Sequence, residues 1–144
     1  MSNTVIRKLE NKDINKIMSI WLESTIKAHE FIDKSYWENS YTIVRDVYIP
    51  MAETYIYENN DEIKGFISII NKEFIGALFI DNHYQGKGAG TKLLKFVKNI
   101  YGKLTLAVYK DNIRSVEFYK KLGFKIIGEG PNEETKVFEF HMVN

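Results

Sequence analysis

The chain has 144 residues, with 20 Lys and Arg against 19 Asp and Glu, three His and a formal net charge of +1. That length makes one ordinary domain with room for a real core, and the near-neutral balance gives no reason to expect nucleic acid as a partner. There is no cysteine, which excludes a disulfide framework, a thiolate metal site and a cysteine nucleophile. Arg7, Lys8 and Glu10 interrupt the start of the chain, unlike a signal peptide. No apolar run approaches membrane-spanning length. A cytoplasmic protein with no membrane partner is expected.

In chain order, residues 5–8 read as a short strand. A helix is expected from Asp13 to about Ala28, because Ile14, Ile17, Met18, Trp21 and Leu22 form one apolar stripe. A second, less regular helix over 36–48 should end near Pro50, since a proline pushes the residue before it out of helical geometry. Residues 54–58 and 63–71 read as strands joined by a turn at Asn59-Asn60-Asp61. After a tight turn at Asn71-Lys72 comes a third strand, 74–80. A glycine-rich turn leads to a helix carrying Leu93, Leu94, Val97, Ile100 and Tyr101 on one face. Residues 104–109 form an apolar strand. Asp111 or Asn112 caps a helix that runs to Leu122 and stops at Gly123. Residues 125–128 and 137–142 close the chain as a hairpin. The order describes an α/β fold, a mixed sheet flanked by about four helices, in a single domain over 1–144. Strand 74–80, its helix and strand 104–109 form a βαβ unit, so these two strands should be parallel neighbours.

The run Gln85-Gly86-Lys87-Gly88-Ala89-Gly90-Thr91 carries the chemistry. Glycines let the backbone turn sharply and let a ligand approach it closely. Free N–H groups at a helix start, at the positive end of its dipole, form an anion site, and Lys87 adds charge. A Walker loop needs G-x-x-x-x-G-K-[ST], a spacing this chain lacks. A dinucleotide fingerprint needs G-x-G-x-x-G, and here the glycines fall one residue short. Asp111 lies roughly where a ribose-binding acid would stand, but too little chain follows it to complete a doubly wound fold. A plain strand–helix turn is the bland alternative.

Two motifs together make the ligand specific. Gln85-x-x-Gly88-x-Gly90 resembles the Q/R-x-x-G-x-G/A pyrophosphate loop of the GCN5-related N-acetyltransferases, the GNAT family. Downstream, residues 112–124 are similar to its second signature, N-x-x-[SA]-x-x-[FL]-Y-x-x-x-G-F, carried by Asn112, Ser115, Phe118, Tyr119, Gly123 and Phe124. The resemblance spans roughly 4–142 and implies a GNAT-like fold, acetyl-CoA as cosubstrate and no metal. It implies that strands 74–80 and 104–109 splay apart, leaving Leu78, Phe79 and Ile80 to meet the pantetheine arm. The phosphates would lie on Gln85, Gly86, Lys87, Gly88, Ala89, Gly90 and Thr91. Asn112 would contact the pantetheine amides besides capping its helix, with Ser115 one turn later. Tyr119 stands at the position of the family's general acid; its hydroxyl, with a usual pKa near 10, would protonate the departing thiolate. An aromatic that merely packs the helix on the sheet is the other reading of Tyr119.

The amine must lose a proton before attack, and the base is less legible. Many family members carry a glutamate on the strand before the glycine loop. Here Phe74 holds that position with Glu73 beside it, and a one-residue offset turns a side chain to the other face. His29 is the second candidate, in the segment Ala28-His29-Glu30-Phe31-Ile32, because histidine titrates near neutrality; a C-terminal histidine interacting with the helix dipole is the alternative. A relay through water is a third. Phe31, Tyr36 and Trp37 form an aromatic group beside His29 that either lines the acceptor site or fills core. The His29-Glu30-Phe31-Ile32 segment, the aromatic-rich second helix after it and Ala77-Leu78-Phe79-Ile80-Asp81 are together similar to a small bacterial subgroup of peptidyl-lysine or uncharacterised N-acetyltransferases. With neither cysteine nor a G-x-S-x-G elbow, direct transfer to a primary amine in a ternary complex is expected. The acceptor would be a protein lysine, an N-terminus or a small amine, and the protein a monomer or homodimer. An acyl-CoA binding or sensing module with little turnover is the alternative.

Overall fold

The computed structural model describes residues 3–144. Three antiparallel strands, β1 (Thr4–Lys8), β2 (Glu53–Asn59) and β3 (Glu62–Ile70), lead into β4 (Phe74–Ile80). Then follow β5 (Thr105–Tyr109), β6 (Lys125–Pro131) and β7 (Phe138–Val143), and the sheet order is β1-β2-β3-β4-β5-β7-β6. The helices are α1 (Ile14–Ala28), α2 (Lys34–Ile43), α3 (Ile49–Met51), α4 (Ala89–Tyr101) and α5 (Ile113–Lys121). The α/β expectation holds, with β7 folding back between β5 and β6.

Strand periodicity assigns the two cores. Tyr55 and Tyr57 of β2, with Ile67 and Ile69 of β3, face Leu93, Leu94 and Val97 of α4 and Val116 of α5. The alternate residues Ile56 and Phe66 face Ile17, Met18 and Trp21 of α1 and Trp37 of α2, as a period of two requires. Ile100 departs from the predicted stripe: it is half exposed, at the rim of a shallow hollow between α4 and β1 shared with Ile6, Tyr55 and Phe96.

The second helical run ends near Pro50 as expected, at Met51, but Ile49 before the proline stays helical. The chain passes from α2 through a π-helical turn, Val44–Tyr48, into the short α3. Ile49 N–H donates to Val44 O, an i→i−5 bond, and this widening makes room for a ring that an α-turn would press against the carbonyl four residues back.

β4 and β5 are parallel, and their register holds one pair, Phe74↔Thr105, at the start of both strands. Beyond it they part. On the other edge of β4 the register jumps from Ile69↔Ile75 to Ser68↔Ala77. Gly76 is therefore unpaired, a bulge that bends the strand.

Candidate active site

The parted strands open onto a cavity of about 650 Å³. Asp81 N–H donates to Lys64 O at 2.7 Å across β3. Strand alternation then turns the backbone groups of Phe79 toward β3 and those of Leu78 and Ile80 toward the gap. The Ile80 carbonyl is already engaged, accepting from Ser24 Oγ at 3.2 Å and from Gln85 Nε2 at 3.3 Å. The Leu78 pair and the Ile80 N–H remain facing the gap. Backbone groups at a half-buried edge need a partner, and an extended polar ligand supplies one.

At the far side of the cavity the glycine loop meets α4. Gly86 and Gly88 have φ of 80° and 82°, values an L side chain disfavours. Gly90 serves differently: a Cβ there would stand 3.3 Å from Phe118 Cζ, so its role is close packing of α4 on α5. The first α4 bond runs from Lys92 N–H to Gly88 O, which leaves the amides of residues 89–91 without intrahelical acceptors. Lys27 and Arg114 line the same cavity, adding positive charge to its wall. Lys87 does not line it. Its ammonium stands over the Tyr84 ring, 5.3 Å from the centroid.

α5 brings the second signature to the cavity. Asn112 caps it, accepting from Ser115 N–H at 3.3 Å. Tyr119 lies one turn from the end, its ring against Phe118 and Phe124. It is buried apart from the edge that lines the cavity. Burial pushes its pKa above the ordinary tyrosine value, so it stays protonated at neutral pH. Packing and proton donation are both open to this side chain, because ring and hydroxyl act separately.

The two sequence candidates for the base fare differently from Tyr119. Glu73 sits beside the Asn71–Lys72 turn at the start of β4, where its carbonyl accepts from Thr105 N–H at 2.8 Å. That is the paired end of the strands, opposite the cavity, and the structure does not bring Glu73 to the site. The face-parity argument also fails over this stretch, because the Gly76 bulge shifts the alternation. His29 is buried, with Nδ1 bonded to Thr25 O and Nε2 to Asn112 Nδ2. Its ring packs on Trp37 and Tyr109, and burial lowers its pKa. Phe31, Tyr36 and Trp37 are not in the cavity wall. Trp37 is core, and Tyr36 reaches across to the β6–β7 loop, donating to Glu134 at 2.7 Å. Asp111 is the carboxylate in the cavity wall. No cluster of three or more His, Asp or Glu side chains suited to a metal occurs among the described residues.

Ser24, Lys27 and Arg114 were not legible as site residues. Ser24 breaks the apolar stripe of α1, a signal that marks a polar contact without naming its partner. Gly76, a lone glycine within an apolar strand, is an available signal for the bulge.

Comparison with known proteins agrees with this geometry. The family described as "Acetyltransferase (GNAT) domain" matches residues 27–143. The peptidyl-lysine N-acetyltransferase YiaC of Escherichia coli is 32% identical over 133 residues, covering 92% of this chain and 91% of that protein. Peptidyl-lysine N-acetyltransferase YjaB of Salmonella typhimurium is 32% identical over 124 residues, 85% of this chain and 84% of its own. Among solved structures, apo YjaB from Escherichia coli superposes with a TM-score of 0.85 at 26% identity, covering 98% and 97% of the two chains. The PaiA N-acetyltransferase of Thermoplasma acidophilum, solved with coenzyme A, has the same fold, with a TM-score of 0.82 at 20% identity over 99% and 98%. The chain belongs to the GNAT family of acetyl-CoA-dependent N-acetyltransferases.

Proposed function

We propose that this enzyme acetylates a primary amine, a lysine side chain or a polyamine, by direct attack on acetyl-CoA in a ternary complex. Relatives named for peptidyl-lysine and for spermidine acetylation support the acceptor class. The gap between β4 and β5 carries the reading. Its free backbone groups at Leu78 and Ile80 suit the amides of a pantetheine arm, and the amides of residues 89–91 suit the pyrophosphate. Phe79 and Gln85 complete the walls. The need for acetyl-CoA supports a cytoplasmic setting.

The amine nitrogen forms a bond to the thioester carbon. A β4 N–H steadies the oxyanion. When the carbon–sulfur bond breaks, the Tyr119 hydroxyl gives its proton to the thiolate. The amine proton leaves to water in the open cleft, because Glu73 stands at the wrong end of β4 and the His29 lone pair is taken. A screen of lysine peptides and polyamines, scored by release of the CoA thiol, tests the reading. Steady turnover with one of them supports it. Tight acetyl-CoA binding with no turnover on any amine favours a sensing module instead.

A further inference from the structure

His29 uses both ring nitrogens. Nδ1 lies 2.8 Å from the Thr25 carbonyl, an oxygen that only accepts, so Nδ1 carries the proton. A neutral ring has one such proton. Nε2 is therefore an acceptor, and the Asn112 amide nitrogen stands 3.2 Å from it. The Asn112 oxygen accepts from Ser115 N–H, which leaves its second N–H for another partner.

The surroundings hold the ring in that state. Thr25 comes from α1, Phe31 from the following loop, Trp37 from α2 and Tyr109 from β5. Tyr109 is the titratable group among them, and burial raises its pKa, so no charge faces the imidazole at neutral pH. Protonating Nε2 would set two N–H donors against each other.

We propose that His29 is a positioning residue: its neutral imidazole clamps the Asn112 carboxamide, joining the end of α1 to the cap of α5 beside the β4–β5 gap. The clamp fixes which end of the amide caps α5 and aims the remaining N–H at the acyl-carrying arm of the thioester. The proposal rests on the acetyl-CoA reading of the cleft, and it gives His29 a role in holding the cofactor rather than in removing a proton.

Two substitutions separate these roles. His29→Gln puts a side-chain carbonyl near the Nε2 position and keeps an acceptor for Asn112. His29→Asn keeps an amide near Nδ1 and leaves one Asn112 N–H without an acceptor. By calorimetry, His29→Asn should weaken acetyl-CoA binding about tenfold, and His29→Gln should stay within about threefold of the unmutated chain. Loss of kcat in both variants with unchanged acetyl-CoA affinity would instead make His29 the base and overturn the proposal. Equal weakening in both also overturns it. If the unmutated chain binds no acetyl-CoA, the reading of the cleft itself falls, and the proposal with it. A measurement without variants guards against misfolding: ring ¹⁵N shifts of the unmutated chain should report a neutral, Nδ1-protonated His29 at neutral pH. An Nε2-protonated ring there overturns the assignment.

Discussion

Tyr119 and His29 illustrate how burial acts in opposite directions on an acid and a base. Burial disfavours the charged form of either group. The hydroxyl of Tyr119 is thereby kept protonated, the state a general acid needs. Tyr119→Phe keeps the ring and removes the donor. Turnover should fall on the order of 10²-fold, with acetyl-CoA affinity and melting temperature little changed; an early-melting variant of undiminished specific activity would make Tyr119 structural. His29 is kept neutral by the same effect. Its folded pKa lies below the unfolded value of about 6.5, so below that pH the unfolded chain binds a proton that the folded chain refuses. Stability should therefore drop as pH falls below about 6.5. His29→Gln should lose stability less steeply over that interval, which thermal melts at several pH values can measure. Glu73→Gln should leave kcat/KM and its pH profile unchanged.

At the scale of elements, two local arrangements govern function and stability. The first is the start of α4, where Gly88 adopts a left-handed backbone. No atom stands within 4 Å of a Cβ built there, so Gly88→Val is opposed by backbone strain and by the ligand, not by protein packing. Strain of about 1–2 kcal/mol for a left-handed L residue and a blocked approach to the amides should weaken acetyl-CoA binding at least about tenfold. Calorimetry measures that loss, and a melting scan separates it from unfolding. The second arrangement ties β1 and β2 to the start of α1. Arg7 holds buried Asp13 through two bonds, of 2.8 and 3.0 Å, and also engages Glu58. Asp13 in turn accepts from Glu10 N–H at 2.8 Å. Asp13→Ala removes two charge-assisted bonds while Arg7 keeps Glu58 as a partner, so the substitution should cost about 2 kcal/mol in urea unfolding. Arg7 holds the Asp13 carboxyl below the usual carboxylate range. The pair's stabilisation is present above the unfolded pKa of about 3.9 and is lost as pH falls through the lower folded value.

Over the whole molecule, the sheet is closed on each side of the gap and open within it. Ligand binding should therefore stabilise the fold as well as serve the reaction. At a concentration of acetyl-CoA about 100 times its dissociation constant, linkage gives about 2.7 kcal/mol, a rise of several degrees in melting temperature. Amide exchange at Leu78 and Ile80 should slow at the same time, while β1 and β2 change little. A melting rise without protection in β4 would mean that the ligand binds elsewhere.

The sequence by itself determined the elements and the chemistry that local patterns encode. Glycines at 86 and 88 specify positive φ, the stripe of α1 specifies a buried face, and Asn112 before Ile113 specifies a cap; each depends on residues within a few positions of one another. The two motifs also named the family before any strand was paired. Tertiary structure decided what depends on distant partners. Pro50 reads as pushing Ile49 out of the helix, but a π turn keeps Ile49 helical and the run stops one residue past the proline, at Met51. Glu73 reads as a neighbour of the site until the pairing of Phe74 with Thr105 puts it at the closed end of the gap. His29 reads as a free base until Asn112, 83 residues away, takes its lone pair. A lone pair's availability is set by what the fold brings against it, and no pattern local to residue 29 carries that information.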